Sequence, residues 1–149
     1  CTAAIVGDVR VVKETVSNLI KQEIIKPIVE INTKLAYHDC CYLGRQNGIY
    51  DAPRNVAKSI PGLELIEMEK CRGNGFCCGA GGGHMWFEEG GSERVNHART
   101  DQFLETNADT VGVSCPFCMQ MMEEGVESKG VSDSRKVKDL VELLEESLG

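Results

Sequence analysis

The residues of this 149-residue chain best suited to chemistry are its cysteines, which occur in close groups. Two pairs are adjacent in sequence, one pair is spaced C-x-x-C and two cysteines stand alone: Cys1, Cys40, Cys41, Cys71, Cys77, Cys78, Cys115 and Cys118. Adjacent cysteines bond to each other only with backbone strain, so this grouping disfavours a disulfide framework. In a reducing compartment, clustered cysteines more often bind metal or do redox chemistry. The grouping therefore favours a ligand that takes several sulfurs at once.

The composition argues against several other classes of protein. Sixteen basic and 23 acidic residues leave a net charge of −7, whereas nucleic acids and anionic membrane surfaces attract positively charged proteins. No apolar run approaches the roughly 20 residues that span a bilayer, and residues 1–10 lack the basic flank and apolar core of a secretion signal. We therefore expect a soluble globular domain in the cytoplasm, or one held at the inner face of the membrane through a partner or a further domain.

The spacing of apolar residues predicts helices that alternate with strands. Strands are expected at 35–37, 63–68 and 110–114. Helices are expected from Glu14 to just before Pro27, from Pro53 to before Pro61, through 95–103, from Pro116 onward and through 137–148. This order predicts an α/β fold, an open and mainly parallel Rossmann-like sheet with helices on both faces. We expect one domain over 1–149, with a helical lead-in over 1–33, a motif core over 34–128 and a C-terminal helix over 129–149.

Each group of cysteines comes just after a predicted strand. The carboxyl ends of parallel strands share one edge, so the three groups are expected to meet in a common site there. Cys115 should also begin a helix, where the dipole and the unpaired N–H groups lower the pKa of a thiol. The segment 73–83 holds six glycines and is expected to be a loop whose backbone N–H groups approach the sulfurs.

The long spacings between these groups resemble a known family. Thirty-five residues separate Cys41 from Cys77-Cys78-Gly79, and 35 more separate Gly79 from the C-x-x-C of Cys115 and Cys118. This resembles the cysteine-rich CCG domain of the heterodisulfide reductase B and D subunits, of the iron–sulfur subunits of glycolate and lactate oxidoreductases, and of Fe–S oxidoreductases paired with electron-transfer flavoproteins. Family members usually carry two copies per chain. The single copy here suggests the C-terminal copy of a longer protein or a single-domain relative.

The resemblance implies an iron–sulfur electron-transfer domain of an oxidoreductase, which is not a complete enzyme by itself. By that resemblance, a [4Fe-4S] cluster, in the best-known members a noncubane one, would be held by Cys41, Cys77, Cys78, Cys115 and Cys118, with Gly79 contributing to cofactor binding. The implied partners are other redox domains or subunits, with a flavoprotein or a cluster as donor and a quinone or disulfide as acceptor.

Two cysteines depart from the family motif. Cys40 stands where the family commonly has proline, and Cys71 has no place in the motif. Each could be a spare ligand, a redox partner or a buried small hydrophobe, and we favour the last role. Cys1 is expected to be incidental.

Two other functions remain open at this stage. A structural zinc site could use Cys41, Cys77 or Cys78, Cys115 and Cys118 and stabilise an α/β interaction domain. A dithiol redox protein would use only Cys115 and Cys118.

Several residues near the cysteines could assist them. His84 could donate a hydrogen bond or be an ordinary polar residue, and Arg45 and Arg72 could offset thiolate charge or lie on the surface. Trp86 and Phe87 are expected to pack over the glycine-rich loop and exclude water.

Overall fold

The four strands of the computed structural model, which describes residues 13–87 and 94–149, form one parallel sheet. The strands are β1 (Thr33–Tyr37), β2 (Leu63–Ile66), β3 (Thr110–Val113) and β4 (Lys136–Asp139), in the spatial order β2-β1-β3-β4. Ala36 in β1 is in register with Ile66 of β2 on one side and with Val111 of β3 on the other. The predicted open parallel sheet is confirmed.

Helices cover both faces of this sheet. They are α1, described over 13–21, α2 (Asp51–Ser59), α3 (Val95–Leu104), α4 (Pro116–Ser128) and α5 (Leu140–Leu148). Side chains of β1 alternate between the faces: Leu35 and Tyr37 pack in a core with α2 and α5, and Ala36 packs in a core with α3 and α4. Within the described ranges, no helix combines the length and apolar character needed to cross a bilayer.

The order of the strands places a natural binding position between β1 and β3. The chain leaves β1 to form β2 on one side, and then returns to form β3 and β4 on the other side. In doubly wound sheets, ligands bind outside the carboxyl ends of the strands at the point where this direction reverses. The loops after β1 and β3 both open at that point.

The C-terminal region differs from the single helix predicted there. Val137 lies in β4, where it pairs with Val111 of β3, and α5 begins only at Leu140. Val137 is flanked by two lysines, so the apolar pattern did not reveal a strand. Asp139 separates the two elements because its carboxylate accepts a hydrogen bond from the Val141 N–H at 2.8 Å, while Glu142 accepts one from the Asp139 N–H.

Two helices also differ from their predicted pattern. The helix α1 ends at residue 21 instead of just before Pro27, because Glu23 adopts a left-handed backbone with φ 58°, and Ile24 is 66% exposed. In α3, Val95 and Ala98 are only partly buried. The buried face of that helix consists of three polar residues, Asn96, Arg99 and Thr100, and the apolar Phe103.

Candidate metal centre

Cysteines from all three loops meet at the carboxyl edge of the sheet. The sulfurs of Cys40, Cys115 and Cys118 lie within 4.8 Å of one another, and those of Cys78 and Cys118 form a second such group with a ring nitrogen of His38. Cys118 belongs to both groups, so it joins the segments that follow β1, β2 and β3. The predicted common site at this edge is confirmed.

Cys41 and Cys77 lie at the outer side of these two groups. Both are half-buried and line one narrow cleft together with Cys40. The N–H of Gly79 donates a hydrogen bond to Cys77 Sγ over 3.3 Å. The structure thus brings together the five cysteines of the family motif and adds Cys40 to them. None of the seven described cysteines forms a disulfide.

Hydrogen bonds between the neighbouring sulfurs lower the pKa of some of the thiols and raise the pKa of others. Hydrogen bonds from the thiols of Cys118 and Cys40 lower the pKa of Cys115 to about 3, and the backbone N–H groups at the beginning of α4 act in the same direction. A hydrogen bond from Cys40 lowers the pKa of Cys41 to about 7. Hydrogen bonds from Cys118 and Cys77 lower the pKa of Cys78 as well. The thiols that donate these hydrogen bonds, Cys40, Cys77 and Cys118, have pKa values raised above the ordinary value of a thiol. Metals bind the thiolate form, so Cys115, Cys78 and Cys41 are the thiols that ionise most readily for a metal, and any of the other three that binds it must lose a proton.

The glycine-rich loop approaches both the sulfurs and the helix α3. It contains only short 3₁₀ turns, Arg72–Asn74 and Gly81–Trp86, as expected for a loop. Gly79 has a φ of 92°, and a Cβ atom there would lie 3.1 Å from Val95 Cβ and 3.3 Å from the Asn96 backbone nitrogen. Only glycine satisfies both the left-handed conformation and the close approach without strain.

A buried arginine anchors the segments that carry the cysteines. Arg54 of α2 is 2% exposed and binds Asp39, which precedes Cys40, through two hydrogen bonds. It also donates to Glu67, just after β2, over 2.6 and 2.7 Å. Asp39 in turn accepts from the Arg72 N–H at 2.6 Å, at the beginning of the glycine-rich loop. Sequence reasoning missed this network because nothing in the helical pattern of α2 marks Arg54 as buried.

A second buried arginine lies beside the sulfurs. Arg99 is fully buried, and its Nε donates to Nδ1 of His38 over 3.0 Å. Its Nη1 donates to the Lys70 carbonyl oxygen at 2.9 Å and to Gln102 Oε1 at 2.6 Å. The position of His38 directly after β1 was a signal that could have placed it at the site. No sequence signal marked Arg99, which lies 61 residues away on the polar buried face of α3.

The two cysteines outside the motif have different surroundings. Cys40 is 1% exposed, as expected for a small hydrophobe, but its sulfur lies within the first group. Cys71 is half-buried and belongs to neither group of sulfurs, and its pKa is raised first by burial and then by the nearby carboxylate of Glu67. Cys1 lies outside the described residues.

The other residues expected to assist the site lie at its rim. Arg45 is exposed and donates to the Gly75 carbonyl oxygen of the glycine-rich loop, and Arg72 pairs with Asp51 on the surface. The prediction that Trp86 and Phe87 cover the loop is wrong, because they are 74% and 67% exposed. Trp86 is the last residue of the second 3₁₀ turn, and Phe87 follows it directly. His84 is exposed and lines a cleft with Gly79 and Val95.

Comparison with known proteins identifies relatives over most of the chain. The chain is 43% identical over 142 residues to the probable iron-sulfur-binding oxidoreductase FadF of Bacillus subtilis, covering 95% of this chain and 20% of that protein. It is 44% identical over 138 residues to the EtfAB:quinone oxidoreductase of Syntrophomonas wolfei, covering 88% and 19%. It is 39% identical over 138 residues to one of the subunits of the dihydromethanophenazine:CoB–CoM heterodisulfide reductase of Methanosarcina mazei, covering 93% and 33%.

The chain thus spans about a fifth of the first two relatives and a third of the third. The CCG family, described as a cysteine-rich domain, matches residues 35–123, which include every cysteine at the sheet edge. This chain belongs to the CCG cysteine-rich domain family, represented among its relatives by oxidoreductases and a reductase subunit.

Proposed function

We propose that this domain binds an iron–sulfur cluster at the carboxyl edge of its sheet and transfers electrons as part of a larger oxidoreductase. The observation that carries this proposal is the convergence of sulfurs from three chain segments on Cys118. The proposed ligands are Cys41, Cys77, Cys78, Cys115 and Cys118, and the proposed cofactor is a [4Fe-4S]-type cluster. The name of the Bacillus subtilis relative, an iron-sulfur-binding oxidoreductase, supports the choice of cofactor.

The number and burial of the sulfurs favour a cluster over the two alternatives. A structural zinc site takes four ligands in a tetrahedron, whereas six cysteines gather at this edge. A dithiol redox protein needs an accessible attacking thiol, but Cys115 is 4% exposed and Cys118 is 1% exposed. The noncubane cluster implied by the family resemblance takes five cysteines, and an iron–sulfur cluster does not require its ligands to be exposed.

The residues around the sulfurs would hold such a cluster and exclude water. Its chemistry when bound is the uptake and release of electrons. The Gly79 N–H donates to Cys77 Sγ, and a hydrogen bond of this kind stabilises negative charge on sulfur. Phe103, Met122 and Val113 fill the core beneath the site and keep its inner side dry. The half-buried sulfurs of Cys41 and Cys77 leave the outer side closest to solvent and to a docked partner.

The donor and the acceptor are proposed from the relatives. One relative is an EtfAB:quinone oxidoreductase and another is a subunit of a CoB–CoM heterodisulfide reductase, and these names support a quinone or a disulfide as the acceptor. The family resemblance supports a flavoprotein as the donor. The net charge of −7 favours a basic docking patch on that partner, so the electron-transfer rate should fall as salt rises. The unpaired thiols fit a reducing compartment such as the cytoplasm.

The proposal is tested by metal analysis of the chain purified and reconstituted without oxygen. We expect iron and acid-labile sulfide in equal amounts, a visible absorption band and its reversible bleaching by dithionite. A chain that takes up zinc at four thiols but binds no sulfide would overturn the proposal in favour of a structural zinc domain. Oxidation of Cys115 and Cys118 to a disulfide without iron uptake would instead identify a dithiol protein.

A further inference from the structure

The buried pair formed by His38 and Arg99 lies directly beside the sulfurs of the site. Both side chains are buried, at 1% and 0% exposure. A ring nitrogen of His38 lies within 4.8 Å of the sulfurs of Cys78 and Cys118. Nδ1 of the ring lies 3.0 Å from Nε of Arg99, which leaves Nε2 as the nitrogen that can donate to a sulfur, and a hydrogen bond from His38 contributes to the lowered pKa of Cys78. His38 therefore stands between a guanidinium group and two thiols.

The chemistry of arginine determines the role that His38 can have. A guanidinium group has five N–H donors and no acceptor, so Nδ1 of His38 must be the unprotonated nitrogen that accepts the hydrogen bond. The proton of the neutral ring then lies on Nε2. A protonated nitrogen has no lone pair with which to bind a metal ion. In metal sites, by contrast, the second nitrogen of a ligating histidine donates its N–H to a carboxylate or a carbonyl group.

We propose that Arg99 fixes His38 as an Nε2–H hydrogen-bond donor to the Cys78 thiolate, so that His38 tunes the bound cluster as a positioning residue and is not one of its ligands. This inference rests on the proposed function. A donor to a ligating sulfur stabilises the more negative, reduced form of a cluster and raises its reduction potential.

The unused capacity of Arg99 supports the same role. Its Nη2 is buried and has no hydrogen-bond partner among the described residues. A buried guanidinium whose Nη2 has both N–H donors open is costly in a neutral site, because an unsatisfied donor loses its hydration. It is less costly beside several thiolates, and Cys78 and Cys118 are both close enough to interact with its charge. The positive charge of Arg99 therefore adds to the effect of the His38 hydrogen bond.

The first test compares three variants of the reconstituted chain by iron analysis and by redox titration of the visible spectrum. His38→Leu removes the donor, His38→Gln retains an amide donor, and His97→Gln is the control on the helix that carries Arg99. We expect all three to keep their iron. We expect His38→Leu to change the equilibrium constant between oxidised and reduced cluster about tenfold, a fall of about 59 mV for one electron, and the other two to change it much less.

A loss of iron from His38→Leu as large as that from Cys118→Ser would overturn the proposal, because it would make His38 a ligand. An unchanged potential would also overturn it. The second test needs no variant that could fail to fold: nitrogen-15 NMR of the wild-type chain, reduced and before iron is added, reports which ring nitrogen carries the proton. Protonation at Nε2 is expected, and protonation at Nδ1 would contradict the proposal. If the wild-type chain binds no iron, the proposed function fails, while the NMR result still decides the arrangement of His38 and Arg99.

Discussion

Arg54 holds Asp39 in a buried bidentate ion pair, with Nη1 2.8 Å from Oδ1 and Nη2 2.9 Å from Oδ2. The same guanidinium binds Glu67 after β2, and Asp39 binds the N–H of Arg72 at the beginning of the glycine-rich loop. One side chain of α2 therefore anchors two of the three segments that carry cysteines. This ion pair therefore helps to position the segments that carry the sulfurs, although its hydrogen bonds are made to other groups.

Removing Arg54 should strongly destabilise the fold. We expect Arg54→Met to lower the free energy of unfolding by about 3 to 5 kcal/mol, because it leaves the Asp39 carboxylate buried and unpaired. Urea unfolding followed by circular dichroism measures the change. Lys26→Ala is the matched control, since Lys26 pairs with Glu23 on the surface and its loss should cost less than about 1 kcal/mol. Equal effects of the two variants would contradict the anchoring role.

The contribution of Glu67 should depend on pH. The hydrogen bond from Arg54 holds the pKa of Glu67 below its ordinary value of 4.5, so the folded state releases this proton more readily than the unfolded state. The resulting stability is present above pH 4.5 and is lost as the pH falls through the folded pKa. Its size should be at most about 1 kcal/mol, because the side chain is 40% exposed.

The measurement compares the unfolding free energy of the wild-type chain with that of Glu67→Gln across this range. The difference between the two proteins should be largest near neutral pH and should shrink below pH 4.5. A difference that stays constant down to low pH would show that the ionised form of Glu67 is not what Arg54 stabilises.

The cysteines should differ in their effect on iron content. Cys118→Ser is expected to lose most of the iron, because a hydroxyl replaces the sulfur shared by both groups and is a poor ligand for this metal. Cys40→Ala should lower the iron content less than Cys118→Ser, because Cys40 is not one of the proposed ligands and its sulfur only lies beside those of Cys115 and Cys118. Cys71→Ser is the control and should leave the iron nearly unchanged. Iron per chain after identical reconstitution is the measurement, and an equal loss from Cys71→Ser would show that the proposed ligand set is wrong.

Packing between α3 and α4 should not tolerate a methyl group at Gly125. A Cβ atom there would lie 2.1 Å from Thr100 Oγ1 and 3.2 Å from the Asn96 carbonyl oxygen. We expect Gly125→Ala to destabilise the domain by about 1 to 3 kcal/mol in urea unfolding. The double variant with Thr100→Ala should be more stable than the sum of the single effects predicts. Gly73→Ala is the control, because a Cβ atom there meets nothing within 4 Å.

The sequence by itself determined where the cysteines meet. Apolar runs located the strands that precede Cys41, Cys78 and Cys115, and strands that alternate with helices form a parallel sheet whose carboxyl ends share an edge. Pro116 likewise marked the beginning of α4 correctly, because its fixed φ suits the first turn of a helix. These features depend on local preferences and on a rule of topology, so they can be read without knowing any contact.

Only the tertiary structure decided which polar groups support that edge. Arg99 and His38 are 61 residues apart, and the buried polar face of α3 has no apolar period that could reveal it. The strand β4 exists because Val137 pairs with β3, although its lysine neighbours give no strand pattern. The sulfur of Cys40 reaches Cys115 and Cys118 because β1 and β3 are neighbours in the sheet. Each of these contacts depends on the order of the strands. That order brings together residues that are distant in the chain, and the local sequence around each residue does not indicate its partner.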